Sequence, residues 1–284
     1  MKTESISSKI GLGTVQFGID YGISNNTGIV DYEEVKKIIE LAKTNGIDTI
    51  DTAFLYGDAH KKIGRANLNG LKVVSKFSVK NKKELETQLN KTLEDLKLDS
   101  IYGFISHNYL DIISKPELWN FLKEMQTIGK VKKIGFSFNK PSEKEEVLKL
   151  GMIPDLVQIP YNYLDRRFEA MAKRLKILGC ELHARSVFLQ GLFFCIPNSL
   201  PDFFNPIKPI LKKIQKEEKF SIKILSSVYK ENFIDKIILG VDNSEQLNEN
   251  LQIIHNNTYL PDHNETIPEK ILMPKYWPKN ENEK

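Results

Sequence analysis

VDYEEVKKIIELAKTNGIDTID, residues 30–51, contains the unit that decides how this chain folds. Val35, Ile38, Ile39 and Ala42 recur at three- and four-residue intervals, which puts them on one face of an amphipathic helix. Gly46 follows as a stop signal, because glycine readily takes the left-handed backbone that ends helices. GIDTID is then short, apolar and partly β-branched, so it reads as a buried strand. A helix delivered straight into such a strand is the repeating element of a parallel sheet.

The same alternation extends in both directions. KIGLG (9–13) is a first strand, and after GIDTID comes a short helix, DAHKKIGRANL (58–68). LKVVSK (71–76) is a strand, and NKKELETQLNKTLEDLKL (81–98) is a helix with Leu85, Leu89, Leu93 and Leu96 as its stripe. SIYGFISH, VKKIGFS, DLVQIP, CELHAR and KIILGV are five more strands, separated by helical segments such as PELWNFLKEMQTIG and RRFEAMAKRLKILG. SEKEEVLKLG is helical, IKPILKKIQKEE and SIKILSSVYKEN are two helices before the last strand, and SEQLNENLQIIHN (244–256) is the final one. Eight βα units in 284 residues, with no composition break, predict a closed (β/α)8 TIM barrel of the α/β class. An open doubly wound sheet would carry G-x-G-x-x-G after its first strand. Gly11, Gly13 and Gly18 of GLGTVQFG do not have that spacing. Residues 1–284 are expected to form one domain, with an irregular tail from about 261.

Composition narrows the function. Hydrophobic residues are 40% and charged residues 27%, an ordinary globular balance. The net charge of +4 is spread in mixed-sign clusters, so no basic stripe for nucleic acid is expected. Cys180 and Cys195 are the only cysteines and have no metal-ligand spacing, which fits a reducing compartment and no metal. MKTESISSKIGLG lacks the apolar core of a signal peptide, and no run of about 18 apolar residues could span a membrane. A cytoplasmic protein, monomeric or weakly self-associating, is expected.

In such barrels the site is built at the C-terminal ends of the strands. Strand two ends at Asp51 with Tyr56 behind it, strand three at Lys76 and strand four at His107. Singly, each has a plain structural role: a turn cap, a solvated lysine, a core histidine. Together they form a proton-transfer device. A phenol near pKa 10 is a poor acid at neutral pH. A neighbouring ammonium is expected to lower that value, a buried carboxylate to hold the ammonium, and an imidazole to orient a carbonyl oxygen.

These residues, as DTAFLYG, Lys76 in VVSK and His107 in FISHN, resemble the tetrad of the aldo-keto reductase family. The similarity runs from about Lys9 to Asn257 and includes IGFSF, QIPYN, FLQGLF and GVDNSEQLNEN. It implies a nicotinamide cofactor, NADPH or NADH, lying across the barrel mouth, and hydride transfer between nicotinamide and a carbonyl or alcohol substrate. Tyr56 is then the general acid, Lys76 its modulator, Asp51 the holder of Lys76, and His107 the group that orients the carbonyl. Gly13 and Thr14 after strand one also fall among the cofactor positions. Ser137 and Gln158 are implied as carboxamide ligands, although Gln158 would equally serve as an inward-facing polar barrel residue. Ser186, Leu189, Gln190 and Gly191 are implied to cover the pyrophosphate. Gly240, Val241, Asp242 and Ser244 would meet the adenosine phosphate end, and Gln246, Glu249 and Asn250 the adenine. A plain strand-to-helix connection with Ser244 as N-cap is the structural alternative there.

Three features depart from the family pattern. Arg185 stands where many members have an aromatic residue under the nicotinamide, and it faces either cofactor or substrate. Ser137-Phe138 replaces the usual Ser-Asn pair. Between Gly240 and Asn250 there is Asp242, with Glu245 and Glu249, but no Lys or Arg to grip a 2′-phosphate, which favours NADH unless Lys212 or Lys213 reaches in. The loops QFGIDYGISNNTG and HARSVFLQGL look like those of members acting on sugars or sugar derivatives. Asp20, Tyr21, Asn108, Asn162 and Arg185 would suit a hydroxylated or anionic substrate, and Phe54, Trp119, Phe188, Phe194 and Trp277 are candidate pocket aromatics. A cofactor-sensing subunit with little turnover is the alternative function, and a lyase or isomerase forming a Schiff base at Lys76 is a third.

Overall fold

The computed structural model describes residues 9–252, 258–261, 263 and 265–278. The expected end of the last helix, 253–256, lies outside them. Eight strands close into a parallel barrel in chain order, as the alternation predicts. They are β1 (Ile10–Gly13), β2 (Thr49–Asp51), β3 (Lys72–Phe77), β4 (Ile101–Ser106), β5 (Val131–Ser137), β6 (Leu156–Pro160), β7 (Glu181–Arg185) and β8 (Lys236–Gly240). Closure comes where β1 pairs with β8, in register from Ile10 with Ile237 to Gly13 with Gly240.

The opening segment behaves as its pattern requires. Helix α1 (Tyr32–Thr44) is capped by Asp31, whose side chain accepts from Glu34 N–H at 2.9 Å. It buries Val35, Ile38, Ile39 and Ala42 against the barrel. Gly46 has φ 78°, and the helix ends with Gly46 N–H on Lys43 O at 3.0 Å and Ile47 N–H on Ala42 O at 2.9 Å. This double closure satisfies two carbonyls that the helix end leaves open. Helix α2 (Ala59–Ile63) is shorter than expected and ends at Gly64, whose N–H donates to His60 O at 2.8 Å. Helix α3 (Lys82–Leu96) buries its four leucines, each contributing about 2 kcal/mol through removal from water.

Helix α4 (Leu110–Ile113) has no counterpart in the sequence pattern, since four residues are too short to display a period. Then come α5 (Glu117–Thr127), α6 (Glu143–Lys149), α7 (Glu169–Ile177), α8 (Lys208–Ile214), α9 (Phe220–Tyr229) and α10 (Ser244–Leu251). Between β7 and α8 the chain makes three 3-10 turns, at Leu189–Phe194, Pro197–Ser199 and Asp202–Phe204. Their Leu192, Phe193 and Phe204 form a second apolar cluster with Ile271 and Leu272. The segment from 261, expected to be irregular, therefore contains a docked helical turn, α11 (Glu269–Leu272). Trp277 belongs to this cluster, with its ring edge-on to Phe204 and its Nε1–H donating to Ile271 O at 2.8 Å.

Among the described residues no helix is long and apolar enough to cross a membrane. Cys180 and Cys195 are both free thiols.

Candidate active site

The C-terminal ends of β2, β3 and β4 bring Asp51, Lys76 and His107 to one mouth. Lys76 and Asp51 are buried, with Lys76 Nζ 2.5 Å from Asp51 Oδ1. Desolvating two charges is costly unless further hydrogen bonds complete both groups. Here Lys76 Nζ also donates to Thr52 O at 3.0 Å, and Gln158 Nε2 donates to Asp51 Oδ2 at 2.7 Å. Tyr56 sits on a turn closed by its N–H to Ala53 O at 3.0 Å. Lys76 Nζ lies 5.2 Å from the centre of its ring, and the His107 ring stands edge-on at 6.2 Å.

The electrostatics correct one expectation. Burial pushes the Tyr56 phenol above its ordinary value, and the charge of Asp51 adds to this, with Arg185 only offsetting it. The phenol is thus raised here, where lowering by Lys76 was expected. Two causes account for the difference: desolvation dominates, and the Lys76 charge is already committed to Asp51. Burial lowers Lys76 itself, with Asp51 opposing. Burial also pushes His107 down to about 4, helped by the charges of Lys76 and Arg185. At neutral pH the phenol therefore keeps its proton and the imidazole is uncharged. Both can donate a hydrogen bond to a carbonyl oxygen.

A cavity of about 480 Å³ runs from these groups toward α10. Of the expected cofactor positions, Gly13, Thr14, Gln158 and Arg185 line its mouth end, and Ser186, Gln190 and Gly191 its covering loop. Gly240, Asp242, Gln246, Glu249 and Asn250 line the far end. Ser137, Leu189, Val241 and Ser244 are not in its wall. Ser137 is buried in register with Gln158, and Leu189 and Val241 face the core. Ser244 gives both its N–H and its hydroxyl to Glu34 Oε1, each at 2.6 Å. The N-cap of α10 is Asn243, not Ser244: Asn243 is extended, and its side chain accepts from Gln246 N–H at 2.8 Å.

Two loops meet over the cavity. Gln190 Nε2 donates to Tyr21 Oη at 2.7 Å, and Ile23 N–H donates to Gln190 O at 2.9 Å. Gly191, at φ 88°, passes so near Ser24 that a Cβ would lie 1.8 Å from its Oγ. Ser186, Leu189 and Gln190 also have positive φ, a conformation that only surrounding contacts sustain.

Of the other polar residues singled out from the sequence, Tyr21 lines the cavity, whereas Asp20, Asn108 and Asn162 do not. Asn162 is buried and holds Ser186 O at 3.0 Å. Phe188 and Phe194 line the cavity. Phe54 lies beside His60 and Trp119 stacks on Phe136 at 5.2 Å, so both pack into the fold, as does Trp277. Lys212 and Lys213 are exposed on α8 and outside the wall, where the cations are Lys76 and Arg185. Gln16 and Asn139 were not flagged, and both line the cavity. Gln16 opens the loop QFGIDYGISNNTG, whose resemblance singles out no residue, and Asn139 follows the Ser-Phe pair at a position whose role depends on Arg185.

Several buried polar atoms of residues in the cavity wall have no partner: His107 Nδ1, Gln158 Oε1, Gln16 Oε1 and Asp242 Oδ1. Buried polar groups normally pair, so such a run along one cavity marks where a polar ligand completes them. The free Gln158 Oε1 suits the N–H of a carboxamide at that end. The acids Asp242 and Glu249 suit ribose hydroxyls at the far end. Among the described residues no group of three or more His, Cys, Asp or Glu is placed to hold a metal.

The Aldo/keto reductase family model matches residues 9–271. No curated protein matches the sequence. A Pseudomonas aeruginosa structure described as an aldo-keto reductase is similar at 22% identity and a TM-score of 0.65, covering 87% of this chain and 89% of that one. The holo form of aldo-keto reductase AKR11C1 from Bacillus halodurans has 18% identity and a TM-score of 0.72, covering 89% and 88%. Its apo form has 18% identity and a TM-score of 0.67, covering 94% and 91%. At these identities the likeness is one of fold.

Proposed function

The chain belongs to the aldo-keto reductase family, and from this premise we propose that it reduces a carbonyl compound, or oxidises the corresponding alcohol, with Tyr56 as the proton carrier. Membership itself makes it an NAD(P)-dependent oxidoreductase. The observation that carries the finer reading is the meeting of Asp51, Tyr56, Lys76 and His107 in one cavity wall. Bound reduced nicotinamide supplies the hydride. Tyr56 Oη gives its proton to the carbonyl oxygen as negative charge develops there, and a raised phenol keeps that proton until it is needed. Neutral His107 donates a second hydrogen bond to the same oxygen and fixes its angle. Lys76, held by Asp51 and Thr52 O, faces the phenol and stabilises the phenolate left behind.

Gln158 would hold the carboxamide, without Ser137, which lies outside the cavity wall, and residues 186–191 would cover the pyrophosphate. Gly240, Asp242, Gln246, Glu249 and Asn250 would meet the adenosine. We assign NADH as at least as good a cofactor as NADPH, because the acids at that end would repel a 2′-phosphate. A sugar or sugar derivative is the proposed substrate class, in a single-domain cytoplasmic protein of 284 residues that is monomeric or weakly self-associating. The test is a panel of aldoses and simple aldehydes with either reduced cofactor, followed by its absorbance. Cofactor-dependent turnover is expected. Tight cofactor binding with no turnover on any aldehyde would favour a sensing subunit instead.

A further inference from the structure

Arg185 ends β7 and lines the cavity mouth. Its Nη2 donates to Asn139 Oδ1 at 2.7 Å and Phe138 O at 3.1 Å, and its Nη1 to Ser186 Oγ at 3.3 Å. All three acceptors are neutral. They fix the guanidinium in place without cancelling its charge. Lys76, the other cation of the wall, is by contrast neutralised by Asp51 at 2.5 Å. Glu143 feels the charge of Arg185, but its carboxylate is taken by Asn139 N–H at 2.8 Å. A guanidinium has five N–H donors, and the contacts above use three. A fixed cation with spare donors and, among the described residues, no carboxylate partner is a ready anion site.

The position also fits the reaction. Arg185 lines the same cavity as Tyr56, Lys76 and His107, and its charge is felt at all three, so an anion paired with it would share that cavity with the reacting carbonyl. We propose that Arg185, held by Asn139, anchors an anionic group of the substrate, a carboxylate or a phosphate on the carbonyl compound reduced at Tyr56. This rests on the reductase reading above and adds the substrate's charge to it. Asn139 is a positioning residue, since it acts through Arg185.

The experiment compares succinic semialdehyde with butanal, and glyceraldehyde phosphate with glyceraldehyde, using the full chain and NADH. Arg185→Met should lower kcat/KM about 10- to 100-fold more for a charged aldehyde than for its neutral partner, the size of one hydrogen bond to a charged group. Arg185→Lys should recover part of the loss, and Asn139→Ala should give a smaller loss in the same direction. The pair that loses more identifies the anion as carboxylate or phosphate. A second readout needs no turnover: calorimetric binding of succinate or glycerol phosphate to the NADH-saturated protein should weaken about tenfold or more in Arg185→Met. Equal losses for charged and neutral aldehydes, or a loss confined to NADH affinity, would overturn the proposal. Absence of turnover with every aldehyde would overturn the reductase reading instead, and the calorimetric titration would still decide the anchor.

Discussion

The two ends of the barrel both pair charges, deeply buried at the mouth and part-exposed at the floor, and they satisfy them differently. At the N-terminal end of the strands, Glu181 of β7 accepts from Lys133 at 2.5 Å, Tyr102 at 2.6 Å and His183 at 2.8 Å. Asp48 likewise takes Lys72 at 2.8 Å and also Lys236. Apart from His183 Nδ1, this cluster closes on itself. At the opposite end Lys76, Asp51 and Gln158 also form a chain, but it stops short. His107 Nδ1, Ser137 Oγ and Gln158 Oε1 beside it are left without partners. Paired charge is therefore not by itself what separates a site from a structural clasp. The separating feature is which polar atoms still lack a partner, because a closed network is worth most as it stands and an open one is completed by a ligand.

The strongest way to break this comparison is at the open end. Tyr56→Phe removes only the hydroxyl, so kcat should fall by at least ~10²-fold while thermal stability changes little. Lys76→Met acts on the same step, so the double variant should fall far short of the product of the single losses. Single-turnover reduction of one aldehyde, followed by cofactor absorbance, measures all three. A Tyr56→Phe enzyme keeping more than half of the wild-type rate would remove Tyr56 from the mechanism.

The closed end should answer in stability instead. Glu181→Ala leaves Lys133 and His183 without their acceptor, at an expected cost of about 2–4 kcal/mol in urea unfolding. The rate per folded molecule should be nearly unchanged. The two ends should also separate by pH. Burial alone would raise the Glu181 carboxyl, but the hydrogen bonds and charge of His183, Lys133 and Tyr102 outweigh it and hold the group well below its usual range. An acid lowered in the folded state stabilises fully above its unfolded value of 4.5, and that contribution is lost as pH falls below it. His107 is a base moved from 6.5 to about 4 by burial, so its contribution is lost earlier, as pH falls from 6.5 toward 4. Unfolding curves across this range should show Glu181→Ala flattening only the part below 4.5. A flattening confined to higher pH would contradict the assignment.

The smallest expected effect sharpens the contrast within the cavity itself. The mouth holds the cations Lys76 and Arg185, and the far end holds Asp242 and Glu249. Fluorescence titration should find NADH binding at least as well as NADPH, and Asp242→Arg should move the preference toward NADPH by about tenfold, or 1.4 kcal/mol. A wild-type preference for NADPH above tenfold would mean that a 2′-phosphate is accommodated despite these acids.

Much of this was legible in the chain alone. Eight strands, the face of α1 and the leucine stripe of α3 follow from local periodicity, which depends only on residues a few positions apart. Asp51, Lys76 and His107 could be placed at strand ends because a barrel puts every strand end at one mouth. Three-dimensional packing alone decided the rest. It made Asn243 the cap of α10 by giving Ser244 to Glu34, a residue 210 positions away. It reversed the expected shift of Tyr56, because desolvation is set by everything packed around a group and not by its neighbours in sequence. It joined Glu181 to Tyr102 and Lys133 across the barrel floor, and Arg185 to Asn139 at its mouth, pairs that no spacing rule connects. Periodicity is written in short-range order and survives in the sequence. Partner choice and burial arise only when distant segments meet.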